Sequence, residues 1–532
     1  MHDYVVVGAG SAGCVLARRL SDDPKCRVLL IEAGSAKHRA LRVRAPSLYQ
    51  LLWRTPFDWN VSTVPQKHAD GRRMYWPRGK VLGGTSCLNA MVYIRGHRDN
   101  YDEWRDLGNA GWGYDDVLPY FKRSEDNARG ASAYHGAGGP LHVSDCRRGS
   151  PVSDAFAQAA AKHCGVTVTD DFNGASQDGA GRYQVTIREG VRVSTAAAFL
   201  DPVRGRPNLE IATGVHVTGL VVRGGRARGI RGRVRGSEQT FEASREVILC
   251  AGAIGSPHIL LLSGIGPASE LRAAGVDVVA DVPGVGKNLQ DHLLTGIVMG
   301  TDSPACKPLS VPALLGWMLR YALTGNGQCA VAPVEAGAFV RSSPSAPRPD
   351  VQYHFVPWGI PEPNTDEKRD PPPGRRFSVL PGLIYPRSVG EVRLTSRDPH
   401  APAAVDPRYF SDDADLEHLV RGIHQAREIA STEPLAAYGA REIFPGPDCK
   451  SDDAIRASIR ATCNTIFHPV GTCKMGPAGD GAAVVDASLR VRGVDGLRVA
   501  DAAIMPRIVG GNTNAPVIMI AEKAADLIRG SS

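Results

Sequence analysis

The stretch Asp3-Tyr4-Val5-Val6-Val7-Gly8-Ala9-Gly10-Ser11-Ala12-Gly13 decides the fold, together with Val28-Leu29-Leu30-Ile31-Glu32. Tyr4 to Val7 is an unbroken apolar run, the pattern of a strand buried on both faces. Gly8-x-Gly10-x-x-Gly13 then makes a tight turn, and Cys14, Val15, Leu16, Ala17 and Leu20 mark one face of a short helix. Val28 to Ile31 is a second buried strand, ended by Glu32, 19 residues after Gly13. A GxGxxG string alone is weak evidence. Set between a strand and a helix, with an acidic strand end after it, it specifies a dinucleotide site. Gly8 permits the turn and Gly10 lets a pyrophosphate approach the backbone. The helix start, from Ser11 and Ala12, offers unpaired N–H groups and the positive end of its dipole. Glu32 accepts hydrogen bonds from a ribose diol. The motif by itself does not choose between NAD and FAD.

Working outward, residues 60–100 are rich in Gly, Arg and aromatics with no clean period, which predicts an extended lid or loop packed over something. Glu246 to Gly252 predicts another buried strand, running into a helix over Ser256 to Leu262. Val351-Gln352-Tyr353-His354-Phe355 and Gly390 to Thr395 alternate as strands with one polar face. Between them, residues 357–376 carry Pro357, Pro361, Pro363 and Pro371-Pro372-Pro373, a stiffened loop too long for a simple connection. Residues 415–430 predict an amphipathic helix. The chain ends in a strand, Leu497-Arg498-Val499-Ala500, and a helix from about Pro516 to Ile528. There are no internal repeats.

Composition narrows the class. The 532 residues are 43% hydrophobic and 22% charged, which excludes a disordered chain, a collagen and a coiled coil. No run of 18 apolar residues predicts a transmembrane helix, and no basic and apolar leader precedes Asp3, so a secretory signal is not expected. The net charge is +7, but the 50 Arg and 12 Lys are spread along the chain, which argues against nucleic-acid binding. Eleven Cys form no CxxC pair and no zinc spacing, so reduced, mostly buried thiols and no metal site are expected.

Four further strings bear on the cofactor and the chemistry. They are Pro77-Arg78-Gly79-Lys80-Val81-Leu82-Gly83-Gly84-Thr85-Ser86-Cys87-Leu88-Asn89, Gly252-Ala253-Ile254-Gly255-Ser256-Pro257-His258 continuing to Ser263-Gly264-Ile265-Gly266-Pro267, His468-Pro469-Val470-Gly471-Thr472-Cys473-Lys474-Met475-Gly476, and Gly511-Asn512-Thr513-Asn514-Ala515-Pro516. In this order they resemble the signatures of the glucose–methanol–choline (GMC) oxidoreductase family, over essentially the whole chain. Tyr93-Ile94-Arg95-Gly96 and Tyr101-Asp102-Glu103-Trp104 are most like its bacterial choline dehydrogenase-like and alcohol dehydrogenase branch. The resemblance implies FAD. Gly83 and Gly84 would let a loop lie against a flat ring or a phosphate, with Asn89, Ala90, Met91 and Val92 beside the flavin. It implies a backbone contact to the adenine side from Val217 and a ribityl or phosphate contact from Asp501. Ser11, Ala12, Ala33, Arg78, Ala251 and Thr513 join Gly8, Gly10, Gly13 and Glu32 as cofactor residues. Some members attach FAD through a histidine that falls on Leu88 here, so the resemblance implies non-covalent FAD.

His468 and Asn512 are the expected catalytic pair. Alcohol oxidation removes a hydroxyl proton and transfers a hydride from carbon to flavin N5. A near-neutral imidazole suits the first step, and a second polar group should hold the alkoxide oxygen. The resemblance places a His–Asn pair at these two positions. The terminal helix, with Pro516 in its first turn, would direct its N-terminus at the flavin from the Asn512-Thr513 side and stabilise negative charge there.

The expectation is therefore an α/β flavoprotein. A Rossmann-like FAD-binding domain (1–149, 195–296 and 460–532) interleaves with an α+β substrate domain (150–194 and 297–459) on an antiparallel sheet. Its reaction is FAD-dependent oxidation of a primary alcohol to the aldehyde. Choline is the alternative substrate, with Glu335 as a carboxylate that could face its ammonium. A lyase, a photodecarboxylase or a flavin-binding sensor on the same fold are rivals that the His468–Asn512 pair disfavours. The partner is a small alcohol, and the electron acceptor stays open among O2, a quinone or a dye. The expected location is cytoplasmic, free or peripheral at a membrane.

Overall fold

The computed structural model describes residues 1–146, 149–306, 310–358 and 374–530. Strand β1 (His2–Val7), helix α1 (Ser11–Leu20) and strand β2 (Val28–Glu32) form the opening unit, with β1 and β2 parallel. Strand Leu209–Thr213 adds outside β2, and the far end of the long strand Ser237–Leu249 pairs parallel with β1 on its other side. Strand Leu497–Val499 completes the parallel set. The first half of Ser237–Leu249 instead pairs antiparallel with Arg226–Val234, which pairs with Val215–Arg223. The chain leaves β1 toward β2 on one side while Ser237–Leu249 enters on the other. The Gly8–Gly13 turn thus sits where strand order reverses, the crevice that α/β sheets use for ligands. Helix α2 (Gly252–Leu262) leaves the end of Ser237–Leu249 directly. The terminal helix, Asn514–Arg529, packs along α1. It begins two residues before Pro516, which its first turn tolerates.

The second sheet is antiparallel. Its strands run in the order Arg441–Phe444, Ile297–Thr301, Arg375–Leu383, Val351–Val356, Ala336–Val340 and Gly179–Arg182. Helix α3 (Val311–Thr324) lies outside it. Strand β3 (Val351–Val356) is buried on both faces. Val351, Tyr353 and Phe355 pack into the core under helices Pro151–Cys164 and Asp413–Ala430, with Phe355 stacked on Phe156 at 4.7 Å. Gln352 and His354 form the polar face, and it points inward rather than to solvent. Among the described residues, Glu391–Arg393 forms a separate two-stranded sheet with Ala404–Asp406. Segment 60–100 has little regular structure, with short strands at Val61–Ser62 and Tyr75–Trp76. Most of the proline loop expected over 357–376 lies outside the described residues.

Candidate active site

The loops at the ends of β1, β2 and Ser237–Leu249 open onto one cavity of about 1880 Å³ that continues to β3. Small-ligand pockets hold roughly 300–1,000 Å³, so this one has room for a dinucleotide and a substrate together. Gly8, Gly10, Ser11, Ala12, Glu32, Ala33, Arg78, Gly84, Asn89, Ala90, Met91, Val92, Val217, Ala251, Asp501 and Thr513 all line it, as do His468 and Asn512. Gly13 and Gly83 stand behind the wall. A Cβ on Gly13 would meet the Gly8 carbonyl oxygen at 1.9 Å, so this glycine lets helix and turn close. Gly83, at φ +93°, donates its N–H to the Ala9 carbonyl at 2.8 Å.

Whether this wall fits FAD is a question of cradle and donors. Gly84 sits at φ +53°, and a Cβ there would lie 2.6 Å from the Gly10 Cα, so two glycine backbones are apposed at the cavity edge. Helix α1 and the terminal helix both begin at the cavity with no side-chain cap, and Ser11 Oγ donates to Asn514 Oδ1 across the two starts at 2.6 Å. Uncapped first-turn N–H groups are the donor set that a pyrophosphate needs. Glu32 accepts from Ala9 N (3.0 Å) and Gly34 N (2.8 Å). Burial pushes its carboxyl up to about 7, and acceptor capacity remains on each oxygen. Asp501 is committed to the protein, accepting from Gly252 N, Ser256 Oγ and Ala503 N at 2.6–2.8 Å. It caps turns and braces the start of α2. Asn89 Oδ1 accepts from Arg192 Nη1 at 2.7 Å, which sets the Asn89–Met91 turn beside the cavity. Leu88 is part of the wall. The residues present fit the cofactor.

At the far end stands a hydrogen-bonded chain that sequence reading only half anticipated. His468 Nδ1 lies 3.0 Å from His292 Nδ1, and His292 Nε2 lies 3.1 Å from the Ile384 carbonyl. A carbonyl only accepts, so His292 carries its proton on Nε2 and its Nδ1 is bare. His468 must then donate from Nδ1, which leaves a lone pair on Nε2. The other end agrees. Tyr183 O–H donates to the Tyr353 carbonyl (2.8 Å), and Gln352 Nε2 donates to Tyr183 (3.2 Å) and to Asn512 Oδ1 (3.1 Å). Asn512 therefore turns its Nδ2 donor toward His468 Nε2, 3.4 Å away. Two backbone carbonyls fix the polarity of the whole chain.

Burial keeps these histidines neutral. It lowers His292 to about 3 and His354 to about 4. His468 is held well below the usual histidine range by burial, then by His292, His354 and the Arg78 guanidinium. The backbone aims His468. Phe467 takes a left-handed φ of +66°, a cost of roughly 1–3 kcal/mol for such a residue. Arg78 Nη2 donates to the Phe467 carbonyl (2.6 Å), Phe467 N to Thr465 Oγ1 (2.7 Å), and His468 N to Asp291 Oδ1 (2.7 Å). Asp291, His292, Gln352 and His354 were not singled out from sequence. The signals available were the polar string Gln290-Asp291-His292 before an apolar run, and the polar face of β3. Glu335 is a correction: its carboxylate accepts from Ser150 N (2.6 Å) and Ser153 Oγ (2.7 Å), away from the cavity wall. A helix start is its partner, not a bound cation.

The family comparison settles the class. The GMC oxidoreductase models match residues 2–294 and 386–521. The chain belongs to the GMC oxidoreductase family. It is 43% identical to the alcohol dehydrogenase [acceptor] of Pseudomonas putida over 99% of this chain and 96% of that one. It is 43% identical to mitochondrial choline dehydrogenase of Mus musculus, over 99% of this chain and 89% of the other. Pyridoxine 4-oxidase from Mesorbium loti superposes with a TM-score of 0.89, at 35% identity and 99% coverage of both chains. GMC oxidoreductases are FAD-dependent flavoproteins of mixed α/β fold. Among the described residues, no helix is long and apolar enough to cross a membrane.

Proposed function

We propose that this GMC oxidoreductase oxidises a neutral primary alcohol to the aldehyde, with His468 as base, Asn512 as the oxygen-holding group and FAD bound without a covalent link. The observation that carries the reading is the bare Nε2 of a neutral, half-buried His468 beside the Asn512 donor. The two atoms are 3.4 Å apart, so one substrate oxygen reaches both. His468 Nε2 takes the hydroxyl proton, and Asn512 Nδ2–H steadies the oxygen as charge develops on it. Bound FAD supplies the hydride acceptor. His292 accepts the His468 Nδ1–H throughout, which lets the imidazole carry the proton without turning. Leu88 supports dissociable FAD, since its side chain offers no nucleophile where some relatives carry the linking histidine. Gly8–Ala12, Glu32, Ala33, Gly84, Asn89–Val92, Val217, Ala251 and Thr513 would hold the cofactor along the wall.

We propose a division of the chain in which 1–149, 195–296 and 460–532 carry the cofactor and 150–194 with 297–459 carry the substrate, with Leu293–Leu294 and Asn464–Thr465 crossing over to pair with the antiparallel sheet.

Choline is the second reading, favoured by the name of a relative. Against it, the only carboxylates on the cavity wall among the described residues are Glu32 and Asp501, both at the cofactor end. Val334, Val356, Leu380 and Phe467 line the substrate end with His354, an apolar surface with no counter-charge. The test is anaerobic reduction of the bound flavin by a primary alcohol. His468→Ala should keep FAD and lower the reduction rate by about 10²–10⁴-fold, the range for a lost general base. Reduction at the wild-type rate would remove His468 from that role.

A further inference from the structure

We propose that the outer face of α3, with the basic segment Lys37–Arg54 beside it, docks onto an anionic lipid bilayer and brings the cavity mouth to the membrane surface. Helix α3 is apolar on two sides. Leu314, Trp317 and Met318 pack inward with Tyr321 against Ala45 and Leu48. Leu315, Leu319 and Leu323 recur every fourth residue on the outside and are 60%, 62% and 76% exposed. A surface helix ordinarily turns charge to water. This one, between its Ser310 cap and Gly325, carries Arg320 as its sole charge. Fourteen residues rise about 21 Å, short of the roughly 30 Å hydrocarbon core. The helix fits the plane of the interface instead.

Charge selects the occupant. From Ala33 to Phe57 the chain has no acid and carries Lys37, Arg39, Arg42, Arg44 and Arg54, all exposed. From Ser303 to Val334 it again has no acid. Leu41 and Leu51 in the first segment are 51% and 46% exposed. The two segments form one surface: Tyr321 O–H donates to the Arg44 carbonyl at 3.3 Å and Ser47 Oγ to the Gln328 carbonyl at 2.9 Å. The acids at its border include Asp201, paired with Arg39, the buried Asp58, which accepts from Arg54 N at 2.8 Å, and Glu189, next to the Gly190 carbonyl that also accepts from Tyr321. Leucines ringed by arginines match anionic headgroups over acyl chains. A second copy docking two-fold on this face would oppose like charges. Tyr49, Gln50, Leu51, Trp53 and Arg54 line the cavity, so the docked face includes its mouth.

The test is co-sedimentation of the FAD-loaded enzyme with vesicles of phosphatidylcholine alone or with about 30% phosphatidylglycerol. Wild type should sediment with the anionic vesicles and bind neutral ones at least about tenfold more weakly, with binding that salt reduces. The triple variant Leu315→Gln/Leu319→Gln/Leu323→Gln should lose at least about tenfold in vesicle affinity while FAD content and alcohol turnover in solution stay at wild-type levels. Arg42→Gln/Arg44→Gln/Arg320→Gln, which spares every leucine, should lose about 10²-fold on anionic vesicles and little on neutral ones. Wild type that stays in the supernatant with both vesicles overturns the proposal, as do variants that bind like wild type. A solution dimer that the leucine variant converts to monomer, with vesicle binding unchanged, assigns the face to a second copy and overturns it too.

Discussion

Replacing His292 by leucine should separate positioning from proton acceptance at the active site. His292 does not face the substrate oxygen. It accepts the Nδ1–H of His468 at 3.0 Å and is anchored by the Ile384 carbonyl at 3.1 Å. Leucine keeps the bulk and removes the acceptor. The His468 Nδ1–H is then a buried donor with no partner, at a cost of about 1–3 kcal/mol. His468 escapes the cost by moving its proton to Nε2, which is the tautomer unable to act as base. Populating the competent tautomer therefore costs up to that amount, and flavin reduction should slow by roughly 5–150-fold, since each 1.36 kcal/mol is tenfold. His292 is fully buried, and His468 is open only in part, on the cavity side. His292→Asn is the companion variant. Its Oδ1 can stand near the original Nδ1 and accept the same proton, so it should recover most of the rate. The assay is anaerobic stopped-flow bleaching of the bound flavin at saturating alcohol, with FAD content measured for each variant. A leucine variant with full FAD and wild-type reduction would refute the tautomer argument. So would an asparagine variant no better than leucine, because the lost contact would then not be the hydrogen bond.

Gly84→Ala should lower FAD occupancy at least about tenfold, because a Cβ 2.6 Å from the Gly10 Cα pries the glycine cradle open; titrating apoenzyme with FAD measures it, and acid precipitation of wild type should release all flavin to the supernatant. The reduction rate should stay flat as pH falls from 8 to about 6.5, the ordinary histidine value, because His468 is held well below it; a drop centred near 6.5 would mean a solvated imidazole. Stability has the matching sign. His292 and His354, lowered to about 3 and 4 when folded, contribute stability that is complete above the unfolded value and lost as pH falls toward those numbers, so the Tm of the holoenzyme should decline steadily from about pH 6.5 to 4. Finally, 3,3-dimethylbutan-1-ol, the uncharged isostere of choline, should exceed choline in kcat/KM by about 10²-fold or more, the cost of burying an ammonium without a counter-charge; equal or better turnover of choline counts against the neutral-alcohol reading.

The parts legible in the sequence are those decided locally. β1, α1 and β2 follow from an apolar run, a glycine turn and a helical face within 30 residues, and their register needs nothing distant. His468 and Asn512 each sit in a distinctive string, and both line the cavity. Their supporting residues were not legible. His292 and His468 are 176 residues apart, and Gln352 and Asn512 are 160 apart, so only the folded sheet brings them together. Strand β3 shows how far patterning reaches. Alternation told correctly that Gln352 and His354 share a face, but an alternating polar face usually meets water, and this one meets the cavity. Glu335 misled. A lone carboxylate in an apolar string suggests a bound cation, yet the Ser150 N–H and Ser153 hydroxyl satisfy it. Backbone donors leave no trace in residue types.

His354 carries the same reasoning into substrate choice. It is buried, and neither ring nitrogen has a partner among the described residues, while the nitrogens of His292 and His468 are tied into the chain. Held neutral by burial, its ring lines the cavity and carries one donor and one acceptor that no described residue meets. A polar ring in such a place is costly until something meets it, on the order of 1–3 kcal/mol for each group left unmet. An alcohol whose second polar atom reaches His354 recovers that cost, whereas a plain alkyl alcohol does not. The discrimination belongs to the strand that carries Gln352, since β3 places both side chains on the cavity side, two residues apart. Gln352 donates to Asn512, the group proposed to hold the reacting oxygen, and His354 stands two residues further along the same strand. Neutral histidines, an apolar wall and the lack of a carboxylate on the substrate end of the wall, among the described residues, act together here. Such a wall favours an alcohol without a positive charge.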